Sequence, residues 1–226
     1  MKKKKNDTLF CIDFETGGLD PKKHAITQVA LQIKRMDDFE TIATYSDYVI
    51  PYGDYLLTDE SLKYTGITYQ KLNSKGVKIE DVVKKIETIL AEVYKEHNTS
   101  RKKNFILGQN VIFDIGFLKQ IFNFVKPKTA NKTFEKYFHG EVQQSSFHFA
   151  TIDTMILGKM KHLGYRDTRF NLTQLCENEG IEIIDAHDGE NDVEATLKLY
   201  NKYRHDLNSE SLEKEDEQDY IKNFEF

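Results

Sequence analysis

The segment Leu9-Phe10-Cys11-Ile12-Asp13-Phe14-Glu15-Thr16-Gly17-Gly18-Leu19 constrains this chain most, because it has the apolar content of a buried strand and yet carries two acids. In a strand, residues i and i+2 project from one face, so Asp13 and Glu15 point together. Two neighbouring carboxylates with no cation repel, raise each other's pKa and destabilise the fold. The arrangement therefore makes most sense around a divalent metal, and oxygen-only ligands favour Mg²⁺ or Mn²⁺.

Two later stretches add to this pair. Phe105-Ile106-Leu107 reads as a short strand, and the run from Gly108 to Leu118 leads into a helix-like pattern that carries Asp114 between large apolar residues, a costly place for an unpaired charge. In His187-Asp188-Gly189-Glu190-Asn191-Asp192, a His precedes an Asp by five residues at the start of a helix. That spacing lets a loop His approach a site that the helix Asp also reaches.

With these residues in this order, the chain resembles the DEDDh-type 3′→5′ exonucleases of the ribonuclease-H-like superfamily, which include the proofreading epsilon subunit of bacterial DNA polymerase III. That family's first motif, D-x-E-T-T-G-L, is similar to Asp13 through Leu19. Its second, G-H-N-x-x-F-D-x-x-F-L, is similar to Gly108 through Leu118, and its third, H-x-A-x-x-D, to His187 through Asp192. Tyr64-Thr65-Gly66-Ile67-Thr68, Ile152-Asp153-Thr154-Met155 and Asn171-Leu172-Thr173-Gln174-Leu175-Cys176 are further family-like stretches, so the resemblance covers roughly residues 8 to 204. Gly17 stands where the family usually has Thr, Gln109 where it has His, and Gly189 where it has Ala; none of these removes a carboxylate or the His. The sister class with a Tyr four residues before the last Asp is not matched, since that position is Asp188.

The resemblance implies a phosphodiester hydrolase with two divalent cations, Mg²⁺ or Mn²⁺. Asp13 would bridge the ions, Glu15 and Asp192 would complete one site, and Asp114 would support the second. His187 would be the general base, a role suited to imidazole because that side chain ordinarily titrates near neutrality. Thr16, Gly17, Gly18 and Leu19 would receive the terminal nucleotide, with backbone N–H groups reaching its 3′-hydroxyl and Leu19 wedged against the base. Asn110 is a further substrate contact, and Phe113 and Phe117 are candidates for stacking on bases, with core packing the alternative for each. Asp153 reads as a supporting hydrogen-bond acceptor.

At 226 residues with 39% hydrophobic content, the chain fits one α/β domain, and the resemblance implies that its architecture is a ribonuclease-H-like mixed sheet with helices on both faces. Strands are predicted over 8–15, 25–35 and 41–50 as an antiparallel meander, with later strands over 105–107 and near 149–153. Helices are predicted over 59–64, 80–97, 111–124, 171–179 and 190–204. Residues 126–146 read as a variable excursion. Residues 1–7 form a basic N-terminal arm and 8–204 the exonuclease domain. Residues 205–226 form an acidic linker ending in an aromatic segment, either a docking peptide for a polymerase or sliding clamp, or a tail folded back on its own domain.

A net charge of −5 argues against a protein that coats duplex DNA through a broad basic face, but not against one that grips a single-stranded 3′ end through a local basic edge. Lys159 to Arg169 is the candidate edge, or else a solvated loop. No apolar run is long enough to cross a bilayer, the Lys-rich start lacks the apolar region of a signal peptide, and two cysteines give no disulfide framework, so the cytoplasm is expected. Single-stranded or frayed DNA is the expected substrate. RNA is an alternative, since the two are distinguished by contacts to the 2′-hydroxyl. A non-catalytic adaptor is a third reading, opposed by the retention of four carboxylates and His187.

Overall fold

The apolar run from Thr8 becomes β1 (Thr8–Thr16), the middle strand of a five-stranded sheet in the computed structural model, which describes residues 7–96, 103–164, 169–184 and 187–222. β2 (Ile26–Arg35) pairs antiparallel along β1, and β3 (Thr41–Tyr48) pairs antiparallel with β2, giving the expected meander. β4 (Asn104–Gly108) lies parallel on the other side of β1. A separate hairpin of β5 (Gly140–Gln143) and β6 (Ser146–Phe149) precedes β7 (Thr151–Asp153), which pairs parallel with β4. The sheet order is β3-β2-β1-β4-β7. Residues 1–6 of the basic arm and residues 223–226 at the C-terminus lie outside the described residues.

The side-chain period of two along β1 decides what each face meets. Phe10, Ile12 and Phe14 enter the larger core. That core is closed by α3 (Ile79–Glu96), whose Val82, Val83, Ile86, Ile89, Leu90 and Val93 form the stripe anticipated from sequence, and by α4 (Ile112–Val125). Leu9 and Cys11 project from the opposite face and pack on Val193, Leu197 and Tyr200 of α8 (Gly189–Lys222). Helices therefore cover both faces of the sheet. Asp13 and Glu15 continue the odd-numbered row and so lie on the α8 side. Two short helices, α1 (Asp59–Thr65) and α2 (Tyr69–Lys75), connect β3 to α3; α2 has no counterpart in the sequence reading.

Residues 126–146, read from sequence as a variable excursion, contribute to the main core. They contain α5 (Ala130–Tyr137) and β5, and they place Phe134 and Phe138 in the main core, where Phe147 of β6 joins them, all three with no exposed surface to speak of. Phe138 meets Phe10 edge-on at 5.1 Å between ring centroids, and Phe149 lies 4.9–5.2 Å from Phe134, Phe138 and Phe147. The polar composition of this segment hid its apolar face, since only Phe134 and Phe138 at helical spacing mark it, with Phe147 and Phe149 of β6 just beyond its end.

The C-terminal reading also changes. Helical backbone continues through Lys222, where a linker was expected from 205. The stretch from Asp206 to Lys222 holds no Gly or Pro and is rich in Glu, so nothing in it stops a helix already under way. Its first residues are also tied down, with Asp206 paired to Lys161 at 2.6 Å. Lys161 belongs to α6 (Thr154–His162), a helix where the candidate basic edge began; α7 (Leu172–Asn178) follows. Among the described residues, no helix is long and apolar enough to cross a membrane.

If the aromatic segment is core, Phe134→Ala should cost about 3–5 kcal/mol of unfolding free energy, the usual range for emptying a buried aromatic site. Denaturant titration measures it. A loss below about 1 kcal/mol would return the segment to the periphery.

Candidate active site

The carboxylates come together because β1 and the start of α8 share one face. One oxygen each of Asp13, Glu15 and Asp192 lies within 4.8 Å of the others. Asp192 stands in the first turn of α8, where the helix dipole favours an anion, and its Oδ2 accepts the backbone N–H of His187 at 3.3 Å. Gly189 permits this approach. A Cβ there would stand 3.1 Å from Ala30 Cβ and 3.5 Å from Asp13 Oδ2, so the first turn of the helix can lie directly over β1 and β2.

Asp114 reaches the same end of β1 from α4 on the other side. β4 stops pairing with β1 at Cys11, and Asp114 Oδ1 accepts the Phe14 N–H at 3.0 Å beyond that point. It is 3% exposed and is not one of the three mutually close carboxylates. The resemblance gives Asp114 a place apart from Glu15 and Asp192, and in the fold Asp13, Glu15 and Asp192 lie together while Asp114 is buried beside the strand.

Crowding and burial act on all four in one direction. Burial, then the charges of Asp192 and Asp188, push Asp13 up to about 7. Burial, then Asp13, Asp192 and Asp188, push Glu15 up to about 8. Burial and Asp13 hold Asp114 well above the usual carboxylate range, against the Phe14 N–H, which favours the anion. Burial also raises Asp192, opposed by the His187 N–H. A set of oxygen donors that resists ionisation until a cation arrives fits hard divalent ions.

Beside Glu15 opens a cleft of about 600 Å³ lined by Thr16, Gly18, Leu19, Tyr64 and Phe113 among others. Leu19 is 83% exposed at this cleft, as a wedge residue would be. The glycines before it have a different role from the one expected. Gly17 N–H is taken by Ala25 O at 2.8 Å, and Gly17 O accepts Thr58 N–H at 2.8 Å, so that amide is not free for a 3′-hydroxyl. A Cβ on Gly17 would lie 2.6 Å from Leu56 O, and one on Gly18 2.4 Å from the His24 ring, which is why neither position carries a side chain. Thr16 Oγ1 is likewise turned inward, donating to Gly18 O at 2.9 Å.

The two phenylalanines divide. Phe113 is half-buried and lines the cleft, whereas Phe117 is 0% exposed in the core, supporting Phe113 at 5.1 Å between ring centroids. Phe117 is therefore corrected from stacking candidate to core residue. Asn110 is exposed at φ 56°, and Asp153 holds its turn by accepting the N–H groups of Asn110, Val111 and Met155 at 2.9–3.2 Å. That is the supporting role read for Asp153. Gln109, standing where the family has His, bridges Phe170 O (2.7 Å) and Thr154 Oγ1 (2.6 Å). At the candidate basic edge, Lys161 is committed to Glu179 and Asp206, and residues 165–168 lie outside the described residues.

His187 adopts φ 73° in an exposed turn, and its ring lies against Tyr64 at 4.4 Å between centroids. Tyr64 was read only as part of a family-like stretch. An exposed aromatic beside Gly-Ile-Thr was the available signal.

A central acidic strand with carboxylates supplied by flanking helices defines a metal-dependent phosphodiester hydrolase of the ribonuclease-H-like type. The family described as Exonuclease (RNase_T) matches residues 10–200, and the chain belongs to it. It is similar to Ribonuclease T of Marinobacter nauticus, 26% identical over 195 residues that cover 84% of this chain and 78% of that protein. Ribonuclease T of Shewanella oneidensis is likewise 26% identical over 195 residues, with the same shares covered. Among solved structures, Escherichia coli Exonuclease I in complex with a dT13 oligonucleotide aligns with a TM-score of 0.63 at 24% identity, covering 86% of this chain and 40% of that one. Its dA16 complex gives 0.64 at 25% identity, with 85% and 40% covered. The chain thus spans about two fifths of the length of these solved structures.

The raised carboxyls set the pH dependence of stability. Each binds its proton in the folded state at pH values where the unfolded chain, with ordinary carboxyls near ~4, has already lost it. Stability of the metal-free protein is therefore greatest at low pH within the native range and falls as pH rises through about 7 for Asp13 and about 8 for Glu15. Thermal melts in EDTA should show Tm decreasing between pH 5 and 8, with Mg²⁺ or Mn²⁺ restoring it and Asp13→Asn reducing the slope. A pH-independent Tm would contradict the clustered arrangement.

Proposed function

We propose that this chain removes nucleotides one at a time from the 3′ end of single-stranded or frayed DNA, releasing nucleoside 5′-monophosphates. The observation that carries this reading is the meeting of Asp13, Glu15 and Asp192 beside a cleft that Glu15 itself lines. Two divalent cations, held by Asp13, Glu15 and Asp192 with Asp114 supporting the second, would supply Lewis acidity on both sides of the scissile phosphorus.

The remaining roles belong to the chain's own groups. His187 takes the proton of the attacking water, as a neutral imidazole can and a Lys or Arg cannot. Leu19 wedges against the terminal base and Phe113 offers it an aromatic face, contacts that hold any base without reading its identity. Asn110, on the exposed turn fixed by Asp153, contacts the backbone of the strand. Asp114 keeps the end of β1 in place through the Phe14 N–H and tunes the cluster by its charge.

The similarity to two proteins named Ribonuclease T favours RNA 3′ ends as a second reading. The choice turns on how the cleft receives a 2′-hydroxyl. We place the enzyme in the cytoplasm, in keeping with Cys11 and Cys176, which are both free and buried. The C-terminal segment, residues 205–226, is proposed as the contact for a polymerase or sliding clamp.

Digestion of 5′-labelled and 3′-labelled single-stranded DNA and RNA with Mg²⁺, Mn²⁺ or EDTA tests the reading. We expect metal-dependent shortening from the 3′ end, absent in Asp13→Ala. No cleavage of either polymer with either metal would leave an adaptor as the better description. His187→Ala should lose about 10²–10⁴ in rate while keeping its metal-induced rise in Tm, the range for removing a general base.

A further inference from the structure

Among the described residues, the hydrogen bond from exposed His187 to Asp192 Oδ2 comes from its backbone N–H, so it fixes the main chain and not the imidazole. Among the described residues, the ring meets Tyr64, with planes inclined at 50° and centroids 4.4 Å apart. Tyr64 is 67% exposed and lines the same cleft as Glu15, Leu19 and Phe113. An aromatic so exposed gains little by burial, which leaves its place beside the cleft to be explained.

The helix that presents Tyr64 is fastened to the strand that carries the carboxylates. Thr58, the N-cap of α1, donates its backbone N–H to Gly17 O at 2.8 Å, two residues beyond Glu15. Thr58 Oγ1 then accepts the N–H of Ser61 at 3.2 Å. Leu62 anchors the middle of the helix against Ile67 and Leu72, and Gly66 ends it in the left-handed conformation at φ 67°. Tyr64 thus sits in the last turn of an element fixed at both ends, and its position follows that of β1.

We propose that Tyr64 is a positioning residue for His187, holding the imidazole beside the cleft in a fixed relation to Asp13 and Glu15. The proposal rests on His187 acting as the general base. A proton acceptor displaced by about 1 Å can lose on the order of 10²-fold in rate, so a single ring contact is enough to matter. The contact joins the last turn of α1 to the turn before α8, so it also ties the start of α8 to the near side of the cleft.

The test uses the full chain with Mg²⁺ and a short 5′-labelled single-stranded DNA. Tyr64→Ala should lower kcat about tenfold with KM changed less than about twofold, because substrate is still bound but the base is misplaced. Tyr64→Phe keeps the ring and should recover most of the loss. In the His187→Ala background, Tyr64→Ala should cost nothing further, since its effect passes through the missing imidazole. Independently of activity, the His187 ring signals in ¹H–¹³C spectra should shift in Tyr64→Ala and remain in place in Tyr64→Phe.

A raised KM at unchanged kcat, or a full additional loss in the His187→Ala background, would overturn the proposal and make Tyr64 a base-stacking residue. Normal activity of Tyr64→Ala alongside an impaired His187→Ala would overturn the Tyr64 role alone. Normal activity of His187→Ala would overturn the general-base reading, and the proposal with it.

Discussion

The repulsion among acids at the end of β1 is the constraint around which this structure is organised. Asp13, Glu15 and Asp192 are brought within 4.8 Å of one another, and Asp13 and Glu15 in turn raise the buried Asp114. Left alone, such a cluster lowers stability, because the folded state must either keep protons on its carboxyls or hold like charges together. A rigid frame is needed to keep it in place. The middle strand of a mixed sheet supplies that frame, with antiparallel pairing to β2 along its whole length and helices packed on both faces.

Around that frame, buried polar side chains fix the loops that shape the cleft. Asp153 gathers three backbone N–H groups at the turn carrying Asn110. Gln120 of α4 donates to Pro21 O and His24 O at 2.6 and 2.7 Å and accepts from Tyr52 at 2.8 Å, pinning the loop that presents Leu19. Gln109 joins α6 to the start of α7. Each of these satisfies backbone groups that would otherwise be buried unpaired, which ties loop position to the core.

The departures from the family motif are explained by packing. Gly17 is demanded by Leu56 and Leu57, which leave no room for a Cβ. Gly189 lets α8 lie close over Ala30 and Asp13. Gln109 serves neighbouring loops through both ends of its amide. None of these positions adds a charge to the cleft, and the acidic cluster is intact.

What the sequence determined by itself was local. The two-residue period of β1 placed Asp13 and Glu15 on one face, the apolar stripe of 80–97 announced α3, and the ordered motifs announced the exonuclease family. The core role of residues 126–146 escaped because Phe134 and Phe138 are set in a polar background and meet the aromatics of β6 only in the fold, and α8 ran past its expected end because composition alone carries no stop signal there. Only the tertiary structure decided that Asp114 is buried beside β1 with its Oδ1 on the Phe14 N–H, that Phe113 faces the cleft while Phe117 fills the core, and that Tyr64 meets His187. The reason is that periodicity states which residues share a face of one element. Which faces meet is set by packing between elements far apart in the chain.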